Sequence, residues 1–276
     1  MIYFNQNIPV RLPDILLATF LLVGFSGPAF AERQIIKMTI DDVERSALVY
    51  APKKSADTML PLVLVFHGRG DDSGKFARAV RLHKDWKKAV VVYPRGLVLD
   101  SKPKMRGWQG RVGDYNDRDL KFTDRLLQRL QTMYPIDPQR TYVAGFSSGG
   151  HFTFLLLRER PEMFVAYSVI GALQPNFQSD SPAKPFIFLF GRDEGPQFQE
   201  QWVNTVKALA RHNLASGEQS PYEDCCTLLH PKPEGATMVY GLYNAGHIWP
   251  YSGNERLMRF FQQASNGTQT ADSGEE

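Results

Sequence analysis

The chain alternates between short apolar runs and longer segments that carry one apolar face. Continuous runs such as PLVLVFHG at 61–68 and AVVVYP at 89–94 are typical of strands that are buried on both faces. The segment DLKFTDRLLQRLQTMY at 119–134 instead places most of its apolar residues on one side of a helix. This alternation predicts an α/β fold with a mostly parallel central sheet and helices on both faces.

The same patterns predict the remaining elements. Strands are expected at 34–40, 46–52, 141–145, 164–172, 185–191 and 237–243, and helices at 148–160, 197–211 and 254–263. Two long segments, 96–117 and 216–236, lack a regular pattern and are predicted to be loops. Loops of this length in a compact domain tend to be functional or mobile.

The first 31 residues differ from the rest of the chain. Arg11 precedes an apolar run from Ile15 to Phe25, and Ala29-Phe30-Ala31 follows. A charged start, a short apolar run and an A-x-A site indicate a secretory signal peptide, here residues 1–31, with cleavage after Ala31. The run is too short for a comfortable membrane span. We expect a secreted or periplasmic protein with no membrane association after cleavage; an uncleaved anchor or a buried helix is the alternative.

Composition places few further limits on the protein. A hydrophobic content of 43% is enough for the core of one domain, predicted at 32–263, and the polar end 264–276 is predicted to be a disordered tail. The net charge of +3, from scattered residues, argues against a nucleic-acid partner. Cys225 and Cys226 are adjacent and match no zinc pattern, so we expect free or vicinal structural thiols and not a chemical role for them.

The most informative motif is Gly145-Phe146-Ser147-Ser148-Gly149. This G-x-S-x-G sequence lies between a predicted strand and a predicted helix, as a nucleophile elbow requires. Glycines two positions either side of the serine remove the Cβ atoms that would clash in so sharp a turn. Ser147 is therefore predicted to be a catalytic nucleophile, although the same pattern also occurs as an ordinary turn.

A nucleophilic serine needs a base, and the base needs an orienting acid. His247, in NAGHIWP after the strand 237–243, is predicted to be the base, with His230 as the main rival. Asp193, just after the strand 185–191, is predicted to be the acid, with Glu194 as the nearest rival. These loops follow the carboxyl ends of predicted strands, where sites form in open α/β sheets.

The segment VFHGRG at 65–70 is a candidate oxyanion loop, because Gly68 and Gly70 allow its backbone amides to turn into the site. The amides of Arg69 and Ser148 are the predicted donors to the oxyanion. His67 is expected to brace this loop by hydrogen bonds; a metal-ligand role is the weaker interpretation, because no cluster of ligands surrounds it. No metal and no organic cofactor is implied.

Several of these segments, taken together, resemble a known family. PLVLVFHGRG, YPIDPQRTYVAGFSSGG and AGHIWP are similar to the oxyanion, nucleophile and histidine segments of polyhydroxybutyrate depolymerases and feruloyl esterases, including LpqC-like secreted esterases. The resemblance runs from about residue 46 to 262 and implies an α/β-hydrolase fold and a serine esterase with Ser147, Asp193 and His247 as its triad. Arg69 and His151 stand where this family commonly has cysteine and methionine.

The expected substrate is a small-molecule or polymer ester of the feruloyl, phenolic or hydroxyalkanoate type. Trp108, His151 and Trp249 are predicted to line the substrate pocket, although core packing is an equal interpretation for the two tryptophans. The alternatives are a peptidase or thioesterase on the same fold, or a non-catalytic binding protein that keeps a hydrolase fold. An envelope scaffold held by an uncleaved N-terminus is a further alternative.

Overall fold

Ten strands of the computed structural model form one sheet among the residues that it describes, which are 32–53, 58–99, 102–215, 217–250 and 252–272. The predicted signal peptide lies outside these ranges. The ten strands are β1 (Glu32–Ile40), β2 (Val43–Ala51), β3 (Leu60–Phe66), β4 (Val90–Pro94), β7 (Ile136–Phe146), β8 (Ala166–Ile170), β9 (Phe186–Gly191), β10 (Gln219–Tyr222), β11 (Cys226–Leu229) and β12 (Met238–Tyr243). The short strands β5 (Leu97–Leu99) and β6 (Lys102–Gly107) form a separate hairpin.

The strand order is β1-β2-β4-β3-β7-β8-β9-β12-β11-β10. The six strands from β4 to β12 in this order pair in parallel, while the pairs at both edges are antiparallel. A parallel centre brings the carboxyl ends of β3, β7, β9 and β12 to one edge of the sheet, where open α/β sheets form their sites. The chain therefore has the α/β-hydrolase fold that the sequence predicts.

Helices cover both faces of the sheet. They are α1 (Ser73–Val80), α2 (Leu82–Asp85), α3 (Arg118–Met133), α4 (Ser148–Glu159), α5 (Gln199–His212) and α6 (Gly253–Asp272). The buried side chains of α3, α4 and α5 join one core cluster, and those of α1, α2 and α6 join the other. Along β3, Leu62 and Leu64 face the first cluster while Val63 and Val65 face the second. A strand buried on both faces has no polar positions, which explains its continuous apolar sequence.

The structure corrects three expectations about secondary structure. The two segments predicted to be loops each contain a hairpin: β5–β6 lies within 96–117, and β10–β11, within 216–236, extends the main sheet beyond β12. The predicted disordered tail is wrong for residues 264–272, because α6 continues to Asp272 and Ser265 is buried. The strands of the two hairpins are short and contain many polar residues, so their sequences give little periodic signal. The sequence pattern therefore did not reveal them.

Two further observations concern the cysteines and the membrane. Cys225 and Cys226 are joined by a disulfide bond at the turn between β10 and β11, and Cys226 packs on Gly241 of β12. The disulfide contradicts the expectation of thiols, because the turn brings the two adjacent sulfur atoms together. Within the described part of the chain, no helix combines the length and the apolarity that crossing a bilayer would require.

Candidate active site

Ser147 lies on the turn between β7 and α4. Its backbone has φ 52° and ψ −115°, a conformation that non-glycine residues rarely adopt. The turn is held because the Ser147 N–H donates to the carbonyl of Ile170 at the end of β8 (2.9 Å). Strain of this kind persists only where the surrounding structure enforces it, and it is common at functional sites. The side chain of Ser147 is half-exposed, at the edge of the sheet where the parallel strands end.

The two glycines of the motif are required by close packing. A Cβ on Gly145 would lie 2.1 Å from the carbonyl oxygen of Gly149, and a Cβ on Gly149 would lie 2.2 Å from the carbonyl oxygen of Phe66. Both distances are shorter than any real contact of a methyl group. The glycines thus let α4 begin directly against β7 and β3, which agrees with the sequence-based interpretation of an elbow.

The imidazole of His247 is within hydrogen-bonding distance of Ser147, as the sequence predicts. His247 lies in the loop after β12, and the Ser147 hydroxyl donates to its Nε2 at 2.8 Å. The Nδ1–H of His247 donates to a carboxylate oxygen of Glu194, also at 2.8 Å. Since an ionised carboxylate can only accept, this second bond fixes the proton on Nδ1 and leaves Nε2 free to take a proton from the serine.

The acid beside the histidine is Glu194, so the prediction of Asp193 for this position is wrong in the structure. Both residues lie in the 3₁₀ turn Arg192–Glu194 that follows β9. The Glu194 side chain is only 7% exposed and also accepts from the Gly191 N–H at 3.3 Å, whereas Asp193 is exposed and its backbone N–H donates to the carbonyl of Ala245. Consecutive residues of a 3₁₀ turn point about 120° apart, so only one of the two can face His247.

Two residues that the sequence analysis did not single out shape the space around His247. The ring of Phe146 lies against the imidazole with 4.9 Å between centroids. Gly171, with φ 64°, leaves room for the ring, because a Cβ there would lie 3.2 Å from the Cε1 atom of His247. The side chain of His247 is 47% exposed, so the site is open to solvent on its other side. No local sequence pattern marks Phe146 or Gly171 for this role.

The predicted oxyanion loop lies beside the nucleophile. A Cβ on Gly68 would lie 3.5 Å from the Cβ of Ser147, and one on Gly107 would lie 3.3 Å from the hydroxyl of Ser148. Among the described residues, the backbone N–H groups of Arg69 and Ser148 have no hydrogen-bond partner. Unpaired amides in a loop that packs against a nucleophilic serine are what an oxyanion hole needs, and the role of these two amides stays a prediction.

His67 braces this loop. The imidazole is fully buried, its Nε2 accepts from the Gly96 N–H at 3.0 Å, and its Nδ1–H donates to the carbonyl of Gly68 at 2.7 Å. Burial away from water lowers the pKa of His67 below its ordinary value and so favours the neutral ring. The part of the chain that the structure describes contains no group of three or more His, Cys, Asp or Glu side chains that could hold a metal ion.

The three residues predicted to line a substrate pocket lie in different environments. Trp108 is 4% exposed, packs against Phe66 and Phe152, and donates its indole N–H to the carbonyl of His67 (2.9 Å). This contradicts a pocket-lining role for Trp108 and supports core packing instead.

Trp249 is half-buried, with its ring edge against Phe76 and its N–H donated to Asn254 at 2.9 Å. Those contacts also favour packing. His151 is exposed on the first turn of α4 beside Ser147. A substrate contact for His151 stays a prediction.

Comparison with known proteins gives a family and a set of relatives. Residues 41–220 match the sequence model of the family named Esterase, whose description is "Putative esterase". The bifunctional acetylxylan esterase/xylanase XynS20E of Neocallimastix patriciarum is 29% identical over 175 residues, which cover 60% of this chain. The chain spans only 24% of the length of that relative.

Solved structures support the same fold. A ferulic acid esterase aligns with a TM-score of 0.62 and 13% identity, covering 87% of this chain and 99% of that one. An acetyl xylan esterase from Aspergillus awamori aligns with a TM-score of 0.63 and 13% identity, covering 83% of this chain and 99% of that one. At such low identity these structures establish the α/β-hydrolase fold and nothing finer.

Proposed function

We propose that this chain, which belongs to the Esterase family, hydrolyses carboxylic esters with Ser147 as nucleophile, His247 as general base and Glu194 as the orienting acid. The observation that carries the proposal is the continuous hydrogen-bonded series from the Ser147 hydroxyl through both nitrogens of His247 to Glu194. A strained serine, a base with a fixed tautomer and a buried carboxylate are the parts that acyl transfer needs.

The mechanism follows from these contacts. His247 takes the proton of the Ser147 hydroxyl through Nε2 while the serine oxygen attacks the ester carbonyl. The carboxylate of Glu194 stabilises the imidazolium that forms. His247 then returns the proton to the leaving alcohol, and a water molecule, activated by the same imidazole, releases the acid from the acyl-enzyme. The protein ends the cycle unchanged, and no cofactor enters any of these steps.

The amides of Arg69 and Ser148 are the proposed donors to the tetrahedral oxyanion. The Ser148 amide is also at the first position of α4, where unpaired N–H groups and the helix dipole favour negative charge. A single donor of this kind contributes about 3 kcal/mol to lowering the barrier. Both donors are main-chain groups, so the side chains at these two positions are free to contact the substrate.

The proposed substrates are esters of plant polysaccharide, namely feruloyl or other phenolic esters, with hydroxyalkanoate esters as the second candidate class. The names of an acetylxylan esterase/xylanase and of a ferulic acid esterase among the similar proteins support the first class. The motif resemblance to polyhydroxybutyrate depolymerases supports the second. The exposed His247 leaves room for an ester attached to a larger molecule.

Export is also part of the proposal. The sequence pattern of residues 1–31 supports a cleaved signal peptide and a secreted or periplasmic enzyme. Mass spectrometry of the protein purified from the culture medium, the periplasm and the membrane fraction tests this. A mature chain beginning at Glu32 is expected, and an intact N-terminus would instead favour an uncleaved anchor.

The direct test of the activity is Ser147→Ala, assayed with p-nitrophenyl acetate. We expect the rate to fall by at least about a thousandfold because the nucleophile is lost, while the circular dichroism spectrum stays that of the wild type. A wild-type protein without turnover would instead favour the non-catalytic binding protein. Turnover retained by the variant would overturn the assignment of Ser147.

A further inference from the structure

Three consecutive peptide groups of the oxyanion loop are fixed by hydrogen bonds from outside the group, and the Gly68 carbonyl also accepts a longer bond from the Asp71 N–H at 3.4 Å. The carbonyl of His67 accepts from the indole N–H of Trp108 at 2.9 Å, and the carbonyl of Gly68 accepts from Nδ1–H of His67 at 2.7 Å. The N–H of Gly70 donates to the carbonyl of Arg106 at 2.8 Å. The backbone on both sides of the Arg69 amide is therefore held in place.

The middle peptide group is the one that carries the Arg69 N–H. A peptide group is planar and trans, so its C=O and N–H point in opposite directions. The bond from His67 to the Gly68 carbonyl therefore also sets the direction of the Arg69 N–H. Because the two flanking peptide groups are held by Trp108 and Arg106, the middle group cannot rotate without breaking at least one of these bonds.

Two of the three anchors come from one segment, residues 106–109, and this segment is itself fixed in the core. Trp108 stacks on Phe152 with 5.5 Å between ring centroids. The next residue, Gln109, donates its backbone N–H to Asp119 at 2.7 Å. The other carboxylate oxygen of Asp119 accepts from Arg45 of β2, also at 2.7 Å.

The Arg45–Asp119 pair makes this anchor rigid. Both side chains are fully buried, and Arg45 also donates to the carbonyl of Arg118 at 2.8 Å and lies over the ring of Phe122. Moving either partner would leave an unpaired charge in the core, which is strongly destabilising. The position of Gln109, and with it that of Trp108, is consequently tied to the sheet and not only to the surface loop.

We infer that residues 106–109 are a template for the oxyanion hole, and that Trp108 is a positioning residue for the reaction through its hydrogen bond to His67. The inference rests on the proposed function. Trp108 touches neither the nucleophile nor the substrate; it acts by keeping the Arg69 N–H directed at the site where negative charge develops. Since the oxyanion forms only in the transition state, losing the hydrogen bond from Trp108 should lower kcat and leave KM unchanged.

The test is Trp108→Phe, which keeps an aromatic ring in the core but removes the indole N–H together with part of the ring volume. With p-nitrophenyl acetate we expect kcat to fall about tenfold and KM to stay within about twofold. A trifluoromethyl ketone, which forms a hemiketal with the serine and places an oxyanion in the hole, should bind about tenfold more weakly for the same reason.

The matched control is Trp86→Phe. Trp86 is as buried as Trp108, at 5% exposed, but stacks on Tyr142 and Phe261 on the opposite face of the sheet. It should lose stability while its kcat and inhibitor affinity stay within about twofold of the wild type. An equal loss of kcat in both variants, or a loss confined to KM in Trp108→Phe, would overturn the inference. So would an unchanged kcat and inhibitor affinity in that variant.

A second variant keeps the test decisive if Trp108→Phe does not fold. Gln109→Met keeps the length of the side chain but removes the oxygen that accepts from the Asp119 and Leu120 amides. We expect a smaller loss of kcat, about threefold, with KM unchanged; an unchanged kcat would contradict the template. Failure of the proposed function gives a different result, because wild-type protein would then show no turnover at all.

Discussion

The two halves of the site are built in different ways. On the nucleophile side, Ser147 is held at an uncommon backbone conformation between β7, β3 and α4, and both glycines of its motif are in contact with main-chain atoms. On the other side, His247 and Glu194 come from the loops after β12 and β9, and the histidine is almost half exposed. The first half is fixed by packing of the backbone, and the second by hydrogen bonds between side chains.

This difference has a physical consequence. Contacts under 3 Å leave no room for a side chain at Gly145 or Gly149. Both positions therefore require glycine, and the pattern can be recognised as a motif. Hydrogen bonds at 2.8 Å between His247, Ser147 and Glu194 depend on the direction in which a turn presents its side chains. Substitutions of the two glycines on the nucleophile side should therefore affect stability, and substitutions on the histidine side should affect activity.

On the histidine side, the largest effect is expected from exchanging the acid. Glu194→Gln keeps the shape of the side chain but removes the charge that orients and stabilises His247, so kcat for p-nitrophenyl acetate should fall about a thousandfold with little change in the melting temperature. The matched control is Asp193→Asn, one residue away and exposed, which should retain activity within about twofold. The opposite ranking of the two variants would restore Asp193 as the acid.

On the nucleophile side, Gly149→Ala should act on stability. The added methyl group would lie 2.2 Å from the carbonyl oxygen of Phe66, so α4 or β3 must shift, and we expect the free energy of unfolding in urea to fall by about 3 kcal/mol. Gly110→Ala is the control, because its methyl group would lie 3.7 Å from the nearest atom, on Asp114. Equal stability of the two variants would mean that the elbow is less tightly packed than the structure shows.

Gly171→Ala tests the histidine side. Its φ of 64° strains any other residue, and the methyl group would lie 3.2 Å from the imidazole of His247. We expect kcat to fall about tenfold with KM nearly unchanged, because the ring must tilt away from Ser147. Gly113→Ala separates the two causes: its φ is 85° but no atom lies within 4 Å, so it should lose stability and keep kcat. A similar kcat for both variants would argue against contact with the imidazole.

The smallest effect is expected from His83, a buried histidine outside both halves of the site, and it concerns the pH dependence of stability. Desolvation, with the nearby charges of Lys84 and Arg81, lowers the pKa of His83 to about 4. In the unfolded chain the pKa of His83 is 6.5, so below this pH the unfolded chain binds a proton that the folded protein does not bind. The free energy of unfolding therefore falls as the pH falls from 6.5 towards 4. Between pH 7 and 5.5 this amounts to about 1 kcal/mol.

His83→Phe, which can keep the stacking on Tyr50, isolates this contribution. The free energy of unfolding of the variant should vary less between pH 7 and 5.5 than that of the wild type. Equal pH dependence of the two proteins would contradict the assignment. The comparison also shows how much of any activity lost at low pH comes from the fold and how much from the site.

Much of the fold could be predicted because buried parallel strands and one-sided helices have distinct sequence patterns. Ser147 and His247 could be predicted as well, because the elbow motif marks the serine and the fold places its catalytic histidine after a later strand. The choice between Asp193 and Glu194 could not be predicted, because the side chains of adjacent acids in one turn differ only in the direction in which they point. Trp108 could not either: an aromatic residue in an unpatterned loop fits a pocket wall and a core position equally well.

The most direct measurement is peptide mass spectrometry after brief treatment with a fluorophosphonate, which reacts with serines activated by a base. The account predicts a single adduct on Ser147, formed at least about a hundredfold more slowly in His247→Gln, because that variant lacks the base. An adduct on a different serine, or an equal rate of labelling in the two proteins, would contradict it.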